Sequence, residues 1–348
     1  MKFEATTIKD IAKALGLSTS TVSRALRGSY EISSETKKMV LEYAEKFNYR
    51  PNPIALSLRE KRSRSIGVVV CEIANNFFSQ VINGIESIAY NRGYHVIVSQ
   101  SHESYKREVV NIDHLASRSV DGLLVSLSNE TIDVSHFKKL YDKGLPIVFF
   151  DRITEEIETH KVIIDNFKGA YDATMHLVEY GYKRIGHVTN SEQLYITKQR
   201  LAGYRRALED MGIAYDEKLV KYCDHGGMII QEIEEAATEL MRMEQRPDAI
   251  FACSDRLTTS LLATLKKSGL KIPDDIALLG FTNSLVVDYF DPPLTAVKQP
   301  AFEIGQVATE MLIQIIESKR PVTEFETRIL EPELFVRAST SKNLKRPI

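Results

Sequence analysis

From Ser65 onward, short β-rich runs alternate with helical stretches, and this alternation limits the fold more than any other feature of the chain. SIGVVV, YHVIVS, DGLLVS and PIVFFD are separated by FSQVINGIESIAYNRG, YKREVVNIDHLASRS and SHFKKLYDKG. Strands interleaved in this way imply a parallel sheet with crossover helices. A second series starts near Lys161, with KVIIDN, KRIGHVT, KLVKYC, DAIFAC and DIALLGF, again with helices between. The pattern predicts an α/β body of two doubly wound parallel-sheet subdomains, with a cleft between their strand C-termini. Leu294 to Val297 and the helix after Pro300 are expected to return to the first half.

The residues before Ser65 follow another rule. A chain of 348 residues calls for two or three domains. Residues 1–64 hold 13 lysines and arginines against 7 acids, a net of +6, whereas the remainder holds 32 against 40, a net of −8. A basic head on an acidic body suggests that the head meets a polyanion. TTIKDIAKALGLSTSTVSRAL reads as two helices joined by a tight turn. Thr7 and Asp10 form a candidate capping box, and Ile8, Ile11, Ala12 and Leu15 recur at helical spacing. Gly16 suits the positive φ that ends a helix, and Ser18 caps the next. In the second helix Val22 and Leu26 face inward, while Thr19, Ser20, Ser23, Arg24 and Arg27 form the opposite face. A third helix starts near Ser33, with Val40, Ala44 and Phe47 on its buried side.

This is a helix-turn-helix layout, whose second helix enters the DNA major groove with its N-terminal residues leading. Short hydroxyls allow close approach, and an arginine donates two hydrogen bonds to guanine O6 and N7. A merely solvated helix face would carry the same residues, but caps, turn, inward pair and charge agree on the DNA-reading one. In NYRPNPIALSLREKRSRS, Pro51 and Pro53 stop the third helix and Asn52 caps a new short one. That segment is too short to be stable alone, and two copies packed on a minor groove would cover it, with Leu58 as a wedge between base pairs. A plain linker is the competing reading.

Enzyme signatures are missing: there is no GxGxxG after a strand, no GxxxxGK[ST], no GxSxG and no HExxH. The eight histidines lack metal-ligand spacing, and Cys71, Cys223 and Cys253 form no CxxC pair, so no metal, catalytic set or cofactor is predicted. Asp151-Arg152 and Ser254-Asp255 lie at strand ends, where α/β proteins bind ligands. No run is long enough to span a bilayer and no signal peptide is evident, so the expected location is the cytoplasm.

Taken together, TIKDIAKALGLSTSTVSRAL, YRPNPIALSLR, VIIDNFKGAY, KRIGHVT, QRLAGYRRAL, SDRLTTSLLATLKKSGLKIPDDIALLGF, PPLTAVKQP and VRAST resemble the LacI/GalR (lactose-repressor) family of bacterial transcription regulators almost end to end. The resemblance implies an all-α helix-turn-helix head on a body like that of periplasmic binding proteins. It divides the chain into a DNA-binding head (1–50), a hinge helix and linker (51–64), an effector-binding and dimerisation domain (65–340) and a tail (341–348). Within the body, the first subdomain is expected at about 65–161 plus 294–323 and the second at about 162–293 plus 324–340. The implied function is that of a homodimeric regulator, most simply a repressor, on a near-palindromic double-stranded operator, switched by a small effector such as a sugar. Thr7 and Ser18 would hold phosphates, Thr19, Ser20 and Arg24 would read bases, and Leu58 with Ala55 would enter the central minor groove. Arg27 stands where the family commonly has Asn, and Leu56 replaces a usual polar residue.

In the cleft, the resemblance points to Asn76, Phe77, Asp151, Arg200, His225, Asp255, Thr282 and Asn283. Arg200 matches an effector-binding arginine, Thr282 stands where many members have Asp, and His225 falls where a stacking aromatic is frequent. The competing reading for each is a group satisfied within the fold. Three other functions remain in view: a body that answers to a partner protein, a solute-binding protein for transport, and a cleft enzyme.

Overall fold

The structure, a computed structural model, describes residues 6–49 and 62–341. The chain divides into two compact units, residues 1–64 and 65–348.

Each described helix of the first unit begins where a side chain satisfies a leading N–H group. Helix α1 (Ile8–Leu15) opens with a capping box: the Asp10 amide donates to Thr7 Oγ1 at 3.3 Å and the Thr7 amide to Asp10 Oδ2 at 2.8 Å. The Thr7 hydroxyl, which donates to the same Asp10 oxygen at 2.7 Å, and after it the Thr7 amide hold the Asp10 carboxyl below its ordinary pKa. Gly16, at φ 66°, closes the helix. Ser18 caps α2 (Thr19–Leu26) and Ser33 caps α3 (Ser34–Lys46). Ile11, Ala12, Val22, Ala25, Val40 and Ala44 make the small core, with Leu26 packed at its edge. Phe47 departs from expectation. It lies at the C-cap of α3, where the helical face ends, and its ring is 45% exposed, stacked on Tyr43 at 4.5 Å.

The second unit begins with β1 (Ser65–Val70), α4 (Asn76–Asn91), β2 (His95–Gln100), α5 (Tyr105–Ser117), β3 (Gly122–Val125), α6 (Ser135–Tyr141), β4 (Ile147–Phe150) and β5 (Lys161–Ile164). It continues with α7 (Asn166–Glu179), β6 (Ile185–Asn190), α8 (Tyr195–Asp210), β7 (Val220–Cys223), α9 (Ile230–Arg242), β8 (Ala249–Ala252), α10 (Asp255–Lys267) and β9 (Ala277–Phe281). The last elements are β10 (Thr295–Lys298), α11 (Ala301–Glu317), β11 (Thr327–Leu330) and β12 (Glu333–Phe335). One sheet runs β11-β5-β4-β3-β1-β2 and the other β12-β10-β9-β8-β6-β7. Pairing is parallel throughout except for β12 against β10. The central strands are buried on both faces, which accounts for their continuous apolar runs.

Three strand placements correct the sequence reading. Lys161–Ile164 joins the first sheet, between β4 and β11, rather than opening the second, with Phe149 opposite Lys161. Thr295–Lys298 pairs with β9 in the second sheet and does not return to the first. Thr327–Leu330 pairs with β5 in the first sheet, whereas β12 and the residues after it, through Ser339 and Thr340, join the second half as expected. The chain therefore crosses between halves after β5, after β10 and between β11 and β12. A strand's apolar run reports its burial, whereas its sheet depends on pairing partners far away in sequence.

Glycines set the closest helix contacts. A Cβ on Gly84 of α4 would lie 2.0 Å from the Phe302 carbonyl oxygen of α11, and one on Gly305 would lie 2.1 Å from that of Val81. α7 and α8 repeat the device in the second half, where a Cβ on Gly203 would lie 2.2 Å from the Phe167 oxygen.

Candidate functional site

In the first unit, the caps of α2 decide which groups face outward. Ser18 Oγ accepts from the Thr21 amide at 3.0 Å, leaving Thr19 and Ser20 exposed in the first turn. Thr7, exposed, forms the capping box at the N-terminus of α1. Val22 and Ala25 turn inward, so Arg24 and Arg27 lie outward and Ser23 is half-buried. Arg24 Nη1 donates to Glu31 Oε2 at 2.9 Å, and Arg27 Nε donates to the Ser23 carbonyl at 2.9 Å. The face thus combines small hydroxyls, a helix N-terminus and two guanidinium groups, a set suited to phosphate oxygens and base edges. Asn52, Ala55, Leu56 and Leu58 lie outside the described residues.

In the second unit, the strand C-termini of the two halves supply the other site. His102, Glu103 and Asp151 all take positive φ, at 51°, 62° and 58°. Non-glycine residues seldom adopt this conformation, and its concentration where two strands end marks a constrained site. Arg152 Nη1 donates to Glu103 Oε2 at 2.6 Å, and that same oxygen accepts the Asn129 amide at 2.9 Å. Burial pushes the Asp151 carboxyl above its ordinary pKa, against the pull of Arg152 and Arg200.

Arg200 is 2% exposed and tied into the second half. Its Nε donates to Asn166 Oδ1 at 2.8 Å, Nη1 to the Cys253 carbonyl at 2.5 Å and Nη2 to Gln299 Oε1 at 3.2 Å. Its guanidinium carbon lies 3.8 Å above the Phe281 ring. Burial lowers its pKa to about 10, which keeps it charged at neutral pH. Three of its five N–H donors are therefore committed inside the protein.

Asp255, Thr282 and Asn283 form one cluster. Asp255 Oδ1 accepts from the Thr282 hydroxyl and, at 3.2 Å, from the Asn283 amide. Thr282 thus supports Asp255 where the resemblance leads one to expect a second carboxylate. The Asn283 side chain donates to Gln80 Oε1 at 3.0 Å and to the Gln299 carbonyl at 2.7 Å. His225 is half-buried and engages Glu232 through Nδ1 at 2.6 Å, and this hydrogen bond raises its pKa. This bond fixes the orientation of the ring. Phe77 is a core ring, 4% exposed and edge-on to Phe78 at 5.2 Å. Asn76 is the first residue of α4 and is half-buried.

Sequence reasoning missed the groups that join the halves. Arg256 Nε donates to Glu72 Oε2 at 3.0 Å, Gln80 Nε2 to the Asn283 carbonyl at 2.9 Å, Asn129 Nδ2 to the Asp224 carbonyl at 3.0 Å and Gln193 Nε2 to the Asn129 carbonyl at 3.2 Å. Gly226 sits so close to the opposite half that a Cβ there would lie 2.9 Å from Glu103 Oε1. Buried polar atoms also remain unpaired near strand ends: Ser101 Oγ, Asn129 Oδ1, both amide atoms of Asn190, and Thr197 Oγ1. Asn190 is the last residue of β6, and its place at a strand C-terminus is the one signal that would have marked it. Buried polar groups without partners are uncommon, and each is a candidate contact for something polar that enters.

Comparison with known proteins places this geometry. Residues 7–52 match the family described as bacterial regulatory proteins, lacI family, and residues 174–340 match a periplasmic binding protein-like domain. The HTH-type transcriptional repressor PurR of Vibrio campbellii is 34% identical, over 97% of this chain and 99% of its own length. The HTH-type transcriptional repressor CytR of Escherichia coli K12 is also 34% identical, over 97% of this chain and 96% of its own. Among solved structures, the transcriptional regulator CelR in complex with cellobiose is 30% identical with a TM-score of 0.71, covering 96% of this chain and 99% of that one. The lac repressor dimer bound to operator and an anti-inducer shares the fold with a TM-score of 0.81 at 23% identity, over 97% of this chain and 100% of that one.

Proposed function

The chain belongs to the lacI family of bacterial regulatory proteins, and from that premise we propose how its two sites work together. It is a DNA-binding transcriptional regulator, a repressor rather than an enzyme, and it acts as a homodimer on a double-stranded operator. A two-fold protein places two copies of α2 in successive major grooves of a near-palindromic site. Thr19, Ser20 and Arg24 read base edges, while Thr7, Ser18 and Arg27 hold phosphates. Asn52, Ala55 and Leu58 belong to the hinge that meets the minor groove between the half-sites. Residues 1–50 serve as the head, 51–64 as the hinge and linker, and 65–340 as the effector and dimer domain. Among the described residues no helix is long and apolar enough to cross a membrane. The proposed location is the cytoplasm, where the operator is.

A small polar effector enters between the halves of the body. The observation that carries this reading is the set of unpaired buried atoms at Ser101, Asn129, Asn190 and Thr197, drawn from both halves. They mix donors with acceptors, which suits a neutral polyhydroxylated compound such as a sugar. Asp151, Arg200, Asp255 and Asn283 shape the walls, with Asn76, Phe77, His225 and Thr282 behind or beside them. An effector that favours one arrangement of the halves changes DNA affinity by its differential affinity, typically about 1–3 kcal/mol, and the coupling is reciprocal.

Selection of the full chain against randomised duplexes, repeated with a panel of metabolites, tests this reading. Enrichment of an inverted repeat supports it, as does a shift in that enrichment with one class of compound. Recovery of unrelated sequences in every round would remove it.

A further inference from the structure

We propose that Glu31 is a specificity-determining residue of the DNA-reading head, acting by positioning Arg24; the inference rests on the DNA-binding reading above. Arg24 lies in the last turn of α2, and Glu31 follows seven residues later, in the stretch between α2 and α3. The two meet at 2.9 Å with both side chains about half exposed, at 51% and 47%. The carboxylate therefore stands on the outward face, beside a guanidinium assigned to base reading. It was not among the groups that the sequence pattern singled out.

The chemistry of the two possible DNA partners gives the pair its meaning. An unaccompanied arginine on a helix at the DNA surface is drawn to the nearest phosphate, a contact that carries no sequence information. A phosphate approaching Arg24 brings its negative charge against the Glu31 carboxylate. A guanine edge offers O6 and N7 as uncharged acceptors and meets no such repulsion. The Glu31 bond occupies one N–H of Nη1 and leaves Nε, Nη2 and the other Nη1 hydrogen to donate. Glu31 thus holds the guanidinium in place, subtracts from its attraction to the backbone and leaves its fork for a base. Discrimination of this kind comes from a repulsive element set against the wrong partner. Arg27 provides the contrast. Its Nε is held by a carbonyl of its own helix, and among the described residues no carboxylate pairs with it to turn phosphates away.

The test uses the full chain and two duplexes of equal length, the best inverted repeat selected by the wild-type protein and a random sequence. Affinities for both are read by fluorescence anisotropy at one fixed salt concentration. Glu31→Gln is expected to tighten binding to the random duplex and to lower the ratio of specific to random affinity by about three-fold or more. Glu31→Asp, which keeps the charge, keeps most of that ratio. In an Arg24→Ala background, Glu31→Gln raises both affinities alike and leaves the ratio where Arg24→Ala set it. A ratio untouched by Glu31→Gln, or lowered equally in the Arg24→Ala background, overturns the positioning role while leaving DNA recognition intact. A wild-type chain that prefers no inverted repeat overturns the DNA-binding reading itself, and the inference with it.

Discussion

Arg256, in the first turn of α10, reaches across the cleft to Glu72 just beyond β1, with Nε 3.0 Å from Oε2. Glu72 is 14% exposed and Arg256 is 35% exposed, so the pair is only partly screened by water. It acts alongside the Gln80–Asn283 and Asn129–Asp224 bonds to hold the halves together. Glu72→Gln keeps the shape and removes the charge. It should cost the closed arrangement about 1–2 kcal/mol, after allowance for the exposure of Arg256. Small-angle scattering of the ligand-free protein should then show a larger radius of gyration, or a mixture. An unchanged scattering profile would mean that the pair does not set the resting state.

Arg200 combines two roles that a substitution can separate. Its bonds to Asn166, Cys253 and Gln299 and its stacking on Phe281 exist without any effector. Arg200→Lys loses the planar fork and strands the amide oxygens it served. The expected loss is about 2–4 kcal/mol of folding stability in urea with no ligand present. A variant as stable as wild type but unresponsive to effector would restrict Arg200 to ligand binding.

His187 gives the body an acid limit. It is fully buried, stacked on Tyr204 at 4.7 Å and 3.5 Å from Cys253 Sγ. Burial, reinforced by Arg200 and Arg205, lowers its pKa to about 3. The folded protein keeps this imidazole neutral, whereas the unfolded chain takes up a proton below about pH 6.5. Its contribution is therefore complete above that pH and is lost, by up to about 1.4 kcal/mol per pH unit, as the pH falls toward the folded value. His187→Gln should flatten the pH dependence of unfolding free energy between pH ~6 and ~4, as measured by denaturant titration. Parallel curves for the two proteins would contradict the assignment.

Gly305 tests the helix packing. By helix propensity alone, Gly305→Ala would stabilise α11 by about 1 kcal/mol. The added methyl would instead meet the Val81 carbonyl at 2.1 Å, so overpacking of about 1–3 kcal/mol should reverse the sign. A lower urea midpoint is the expected result, and a higher one would mean that α4 and α11 separate easily.

How much of this was legible in the sequence varied with the range of the interaction. The capping box of Thr7 and Asp10, the turn at Gly16 and the caps at Ser18 and Ser33 were all readable, because each depends on residues a few positions apart. The buried strands were readable as strands, since burial on both faces leaves unbroken apolar runs, whereas the largely exposed β11 and β12 carry no such run and were not. Sheet membership was not, because Lys161–Ile164 and Thr295–Lys298 look alike in composition to strands of either half and are assigned by distant partners. Phe47 misled because helical spacing carries no sign of where a helix stops. The cleft contacts were harder still. Glu72 and Arg256 are separated by 184 positions, and neither sits in a pattern that names the other. Arg24 was visible as an outward arginine, but its partner Glu31 lies beyond the helix, where periodicity no longer applies.

The most direct test of the central claim is equilibrium binding of the full chain to a selected inverted repeat and to random duplex at moderate ionic strength, with and without the compound that shifts selection. The account predicts a preference of about 1,000-fold or more for the inverted repeat, changed about 5- to 150-fold by the compound while affinity for random duplex stays nearly constant. Equal affinity for the two duplexes, whatever compound is added, would contradict it.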